Sequence, residues 1–122
     1  MRLTVDREAN TLVVTPDSDQ QSAWTVIAAG TLDVGEGGVL LGVEVQASEA
    51  LADLAGQFDN WADAVDTDDA SAYLTLMPGD DSHARSTAVA VRVGLAASGQ
   101  VTSVAVPRRG DGYEITYPSG NR

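Results

Sequence analysis

Between Ala88 and Leu95 the chain alternates without a break, with Val89, Val91, Val93 and Leu95 on one side and Ala88, Ala90, Arg92 and Gly94 on the other. A period of two belongs to an extended chain with one face buried, because successive side chains of a strand point to opposite sides. In a helix the same spacing would scatter the valines around the whole cylinder. This segment is therefore a half-buried strand, and the rest of the chain supplies it with partners. Leu3 and Val5 alternate with polar neighbours, and residues 6–10 read as a turn into a second strand at 12–14, which Pro16 stops. Residues 16–22 form a polar loop. Strands follow at 24–34, where Gly30 suggests a bulge, and at 39–46 after the turn 35–38. Later strands are expected at 72–77, 101–106 and 113–117, separated by turns at 78–81, 98–99 and 107–112.

Residues 48–65 differ in kind. Leu51, Leu54, Phe58, Trp61 and Val65 recur at intervals of three and four, which predicts one apolar stripe on an amphipathic helix. Ser48 is placed as its N-cap, with Glu49 in the first turn. Gly56 weakens the helix, leaving its end open between Asn60 and Val65.

The segment GEGGVLLGVEV at 35–45 has a twin, AASGQVTSVAV, at 96–106, a displacement of 61 residues. Under that shift Ala29 meets Ala90, Gly38 meets Gly99, Val43 meets Val104 and Val45 meets Val106, while Ala28, Leu32 and Val34 fall on Val89, Val93 and Leu95. A slip of one residue would turn every side chain to the wrong face, so agreement in phase carries weight beyond the few identities. The expectation is an α+β, β-rich single domain spanning 1–122. Two β-meander repeats (about eight strands in all), at about 1–47 and 66–118, are joined by one amphipathic helix at about 48–65. The C-terminal strand is expected to fill in the second repeat the place that the first strand fills in the first.

The residues VDREANTLVV at 5–14 and GVLLGVEV at 38–45 also resemble a short bacterial family, Domain of Unknown Function 2283. Its members tend to read Y-D-x-E-A-D-A-L-Y-I, then a D-x-x-G turn followed by V-V-G-I-E-I. Gly42-Val43-Glu44-Val45 matches that ending, whereas Val5 replaces the tyrosine and Asn10 the second acidic residue. The resemblance extends over about two-thirds of the chain, with a more diverged second copy lacking the Gly and the Glu at Ser103 and Ala105. It implies a small β-rich domain, here doubled, without established catalytic residues, and it hints at pairing with basic, toxin-like neighbours.

Composition narrows the partners. The net charge is -11, all seven basic residues are arginine, and lysine is absent. A nucleic acid would be repelled over most of such a surface, since its binding rests on phosphate neutralisation. A hydrophobic fraction of 43% fits a folded domain, and no apolar run reaches the length of a membrane span. The opening residues lack an apolar signal-peptide core, so a cytoplasmic location is expected. With no cysteine there is no disulfide, thiol nucleophile or thiolate metal site.

Few side chains invite chemistry. His83 follows Ser82 in a loop, but adjacent residues there do not align as nucleophile and base. Asp59, Asp63, Asp66, Asp68 and Asp69 lack the glycine and closing glutamate of a calcium loop. Gly35-Glu36-Gly37-Gly38 is followed by a strand instead of a helix, which excludes a phosphate loop. No catalytic, cofactor-binding or metal-ligating residue is nominated, and no cofactor. Glu44, Arg108 and Arg109 remain as possible partner-binding residues, the arginines being the one basic cluster. The expected function is a non-catalytic interaction or structural module that self-associates as a dimer. The alternatives are an acidic, antidote-like partner of a basic protein, and a carboxylate-based enzyme or divalent-metal binder.

Overall fold

The computed structural model describes residues 1–17, 21–77, 83–110 and 112–116, with backbone alone for 62–64 and 83–84. The turn expected at 78–81 lies outside the described residues. Eight strands form one curled antiparallel sheet: β1 (Arg2–Asp6), β2 (Thr11–Thr15), β3 (Trp24–Gly35), β4 (Leu40–Gln46), β5 (Val65–Thr67), β6 (Ser71–Thr75), β7 (His83–Leu95) and β8 (Val101–Pro107). Their order across the sheet is β1-β2-β8-β7-β3-β4-β6-β5. A separate two-stranded ribbon joins β9 (Arg109–Gly110) to β10 (Tyr113–Glu114).

The alternation read from 88–95 places Val91 and Val93 in the core at 0% exposure, and Val43 and Val45 on β4 are equally buried. Both glycines at the proposed turns have left-handed backbone, with φ of 84° at Gly38 and 92° at Gly99. A side chain is strained there, which is why the turns use glycine. The two hairpins share further detail. The β3–β4 pairing runs Thr31↔Glu44, Leu32↔Val43, Asp33↔Gly42 and then shifts before Val34↔Leu40. The β7–β8 pairing runs Arg92↔Ala105, Val93↔Val104, Gly94↔Ser103 and shifts before Leu95↔Val101. Every member is displaced by 61 residues from its counterpart, the register shift included. At the middle of the long β3–β7 pair, Ala29 stands opposite Ala90.

Four expectations are corrected. The strands do not run as meanders: β2 leaves its neighbour in sequence and pairs with β8, while β4 pairs with β6. Residues 48–65 are not one helix. Only Leu54–Gln57 (α1) is α-helical, a 3-10 stretch follows at Asp59–Ala64, and Val65 opens β5. The reason is local. The N-cap is Asp53, whose carboxylate accepts from the Gly56 amide, so the helix starts five residues later than Ser48. The Trp61 amide bonds to Phe58 O, an i→i+3 bond that tightens the coil. The apolar spacing survives this change, and Leu51, Leu54, Phe58 and Trp61 are all buried against the sheet. Third, the C-terminal segment does not replace the first strand: Tyr113–Glu114 pairs with Arg109–Gly110, and the far edge belongs to β5. Fourth, Gly30 sits in regular pairing with Val45 and Val89, and the irregularities lie at Asp33/Val34 toward β4 and at Val34/Gly35 toward β7. A Cβ at Gly30 would stand 2.6 Å from the Glu44 carbonyl, so the glycine serves close approach of two backbones.

No helix is long and apolar enough to cross a membrane among the described residues.

Candidate functional site

The solvent-facing side of the sheet carries a cluster of polar groups with defined partners. Register puts Asp33 opposite Gly42 and Ser86, and Glu44 opposite Thr31 and Tyr73. All therefore face away from the core, as period two requires. Gly42 has no side chain, and the Tyr73 hydroxyl occupies the space that a Cβ there would fill. The ring lies across the gap and donates to Asp33 Oδ2 at 2.5 Å, while Ser86 Oγ donates to Asp33 Oδ1 at 2.6 Å. Ser71 Oγ approaches Glu44 Oε2 at 3.4 Å.

The electrostatics follow from this packing. Loss of water around the phenol pushes the Tyr73 pKa well above the ordinary tyrosine range, and the hydrogen bond to Asp33 and the charges of Asp33 and Glu44 add to it. A phenol held neutral beside a carboxylate is a poor base and nucleophile, so the trio is suited to fixing three strands together. Because the folded value is raised, its stabilising effect is complete below the unfolded value of 10.0 and is lost as pH rises through the folded one. Burial also raises Tyr113. Ultraviolet difference titration should therefore show two late tyrosines in the wild type and one in Tyr73→Phe. Ionisation of Tyr73 near pH 10 would contradict the geometry.

Arg108 and Arg109 lie elsewhere, beyond the end of β8, which β7 and β3 separate from β4. The pair and Glu44 do not form one site. Arg108 is turned inward, with its side chain 13% exposed. Its Nε donates to Asn10 Oδ1 at 2.8 Å, and one terminal nitrogen donates to Glu114 Oε2 at 3.1 Å and to Ile115 O at 3.2 Å. It ties the β1–β2 turn, where Asn10 has a φ of 55°, to the C-terminal ribbon. Arg109 is exposed, 3.9 Å from Glu114.

The side chains of His83 and Asp63 lie outside the described residues. Asp68 closes the β5–β6 hairpin by accepting the Ala70 and Ser71 amides at 2.7 and 2.8 Å, which lowers its pKa. Among the described residues no group of three or more His, Asp or Glu stands close enough to hold a metal ion. A shallow hollow of about 290 Å³ separates the 35–38 turn from the ribbon, and Arg85 bridges it by donating to Gly112 O.

Sequence reasoning singled out Glu44 and passed over Asp33 and Tyr73. The available signal was Gly42, a glycine inside a strand and thus a mark of close approach by another group.

The chain matches no protein-family model, no curated protein and no solved structure.

Proposed function

We propose that the chain is a duplicated, non-catalytic interaction module that pairs with a second copy through the edge strand β1. What carries the reading is the self-complementarity of that edge. Among the described residues, β1 has β2 on one side and no strand on the other. Its outward-facing residues, Arg2, Thr4 and Asp6, carry opposite charges at its two ends. An antiparallel pairing centred on Thr4 sets Arg2 of each copy opposite Asp6 of the other, and opposite charges across strands favour one register. The opposite edge, β5, is three residues long, too short to template much pairing. Duplication is supported by the common register shift and by the Ala29↔Ala90 pairing midway between the halves. The resemblance to Domain of Unknown Function 2283 rests on its quoted residues.

Light scattering tests the dimer. Arg2→Glu sets like charges opposite one another and should give monomers at concentrations where the wild type is dimeric. The double variant Arg2→Glu with Asp6→Lys should restore the dimer. A monomeric wild type, or a dimer indifferent to Arg2→Glu, would refute the edge pairing.

A second reading has its own support. Asp33, Glu44 and Asp66 share the solvent-facing side of the β3–β5 half, on a chain of net charge -11. That surface suits a basic protein partner, held by contacts that weaken as salt rises.

A further inference from the structure

The sheet is built from two halves of the sequence, and neither half is continuous without the other. Half one, residues 1–46, supplies the hairpins β1–β2 and β3–β4, and half two, residues 51–116, supplies β5–β6 and β7–β8. In the strand order, β8 and β7 stand between the two hairpins of half one, and β3 and β4 stand between the two hairpins of half two. Each outer hairpin is therefore seated on a strand of the other half. The seats match in register. Val14↔Val104, Val13↔Ala105 and Leu12↔Val106 on one side answer Leu74↔Val43, Tyr73↔Glu44 and Ala72↔Val45 on the other. The outermost pairs follow, with Leu3↔Val14 and Thr4↔Val13 answering Val65↔Leu74 and Asp66↔Tyr73.

Strand direction makes this loan obligatory. Neighbours in the sheet are antiparallel, so β2 and β3, three steps apart, run in opposite directions, while β2 and β4, four steps apart, run in the same one. β2 thus ends where β3 begins. To pair antiparallel with β4 of its own half, β2 would have to be reversed, and its end would lie at the far end of the sheet from Trp24. The same holds for β6 and β8. The contact between halves is broad: β2–β8, β3–β7 and β4–β6 form three seams, and bonds from Arg108 to Asn10 and from Thr116 to Gly38 close one end. The segment from α1 to Trp61 belongs with half two, because Gln100 donates to Gly56 O and Trp61 to Val101 O. Between the halves lies the run 46–50, exposed throughout. There Ala47 N–H donates to Ala70 O at 2.8 Å across the β4–β6 seam, and Ser48 and Leu51 exchange longer bonds of 3.4 and 3.1 Å.

We propose that the join between the halves is also an interface between molecules, and that its partner is a second copy of this chain. Half one of each copy completes half two of the other, each chain runs straight on at 47–50, and two whole sheets result. Every seam is remade with the same residues, so the exchange sacrifices little beyond the turn. Tyr73 restricts the partner to this chain. Its hydroxyl takes the space left by Gly42 and donates to Asp33. The corresponding place on β8 holds Ser103, whose side chain leaves no such room, and Gly94 offers no acceptor where Asp33 would stand. A strand admitted beside β6 must therefore bring the glycine, and its neighbour must bring the acid. The exchange goes beyond the β1 edge pairing and does not rest on it. It uses the registers of the two halves, whatever their origin.

The test uses the full chain with Arg2→Glu, which removes the edge pairing, together with Ala29→Cys and Ala90→Cys. The two alanines are exposed and stand opposite one another on β3 and β7, and the chain has no native cysteine. After refolding from denaturant and oxidation, a closed chain links the two thiols within itself and migrates as a monomer on a non-reducing gel. An exchanged pair links them between chains and migrates as a covalent dimer. The dimer band should be minor after refolding at about 10 μM and predominate near about 1 mM, the effective concentration set by a short tether. Deletion of residues 48–50, which shortens the turn, should make the dimer the main species at both concentrations. Light scattering supplies a readout without cysteines: Arg2→Glu refolded at the higher concentration and then diluted should stay dimeric for hours, because separation requires the seams to open. Monomer bands alone in both the parent and the deletion variant, a ladder of higher species, or a dimer that falls apart at once on dilution would each overturn the proposal. Because Arg2→Glu is present throughout, failure here leaves the edge pairing untouched, and failure of the edge pairing leaves this result standing.

Discussion

Val43→Asp should abolish the cooperative unfolding transition. Val43 is 0% exposed and pairs with Leu32 on one side and Leu74 on the other, both equally buried. Thr102 is the one buried polar residue among the described residues, so a carboxylate there must either remain charged in an apolar setting or take up a proton. Either way the cost is several kcal/mol, against a total stability of about 5–15 kcal/mol for a domain. The expected result is a far-ultraviolet circular dichroism spectrum without sheet signal and no thermal transition. Val43→Ala, which deletes two methyl groups, should keep the fold and lose about 2 kcal/mol. A melting temperature for Val43→Asp close to that of the wild type would remove Val43 from the core.

The second large effect belongs to Trp61. Its ring is 2% exposed, packs edge-on against Phe58 at 5.4 Å between centroids, and donates from Nε1 to Val101 O at 2.9 Å. Gln100 Nε2 reinforces the contact by donating to Gly56 O at 2.6 Å. Trp61 thus seals the inner surface of the curled sheet and holds the segment after β4 to the start of β8. Trp61→Ala should cost about 3–5 kcal/mol through the cavity alone, and more for a carbonyl left without its donor. Trp61→Phe keeps most of the apolar volume and isolates the hydrogen bond, with an expected loss of about 1–3 kcal/mol. Chemical denaturation measures both, and equal stability of Trp61→Phe and wild type would show that the indole N–H contributes nothing.

The strands were the legible part of this chain because their information is local. The valines at 89, 91 and 93 declare a buried face by alternation alone, and Gly38 and Gly99 mark turns through a conformational demand that other residues meet only with strain. The segment at 48–65 misled because intervals of three and four suit an α-helix and equally suit a short helix followed by a 3-10 stretch. Its apolar residues were identified correctly and its backbone was not, since Asp53 outcompetes Ser48 for the cap. The pairing of β2 with β8 was illegible because nothing near Leu12 or Val14 specifies a partner some ninety residues away. Asp33 and Tyr73 escaped for the same reason: they are 40 positions apart, and their hydrogen bond exists only once β4 lies between their strands.

The strand order also governs when the molecule can be completed. β2 finds its second neighbour only in residues 104–107, so the N-terminal hairpin emerges from synthesis long before the strand that covers its open side. Closing so long a loop is slow compared with forming a hairpin, and refolding should be governed by this step. A chain arrested before Val101 would hold β2 and β7 with bare backbone along one flank, the condition in which strands of separate molecules join. β8 therefore acts as a latch, and copies that lack it are the ones most exposed to aggregation.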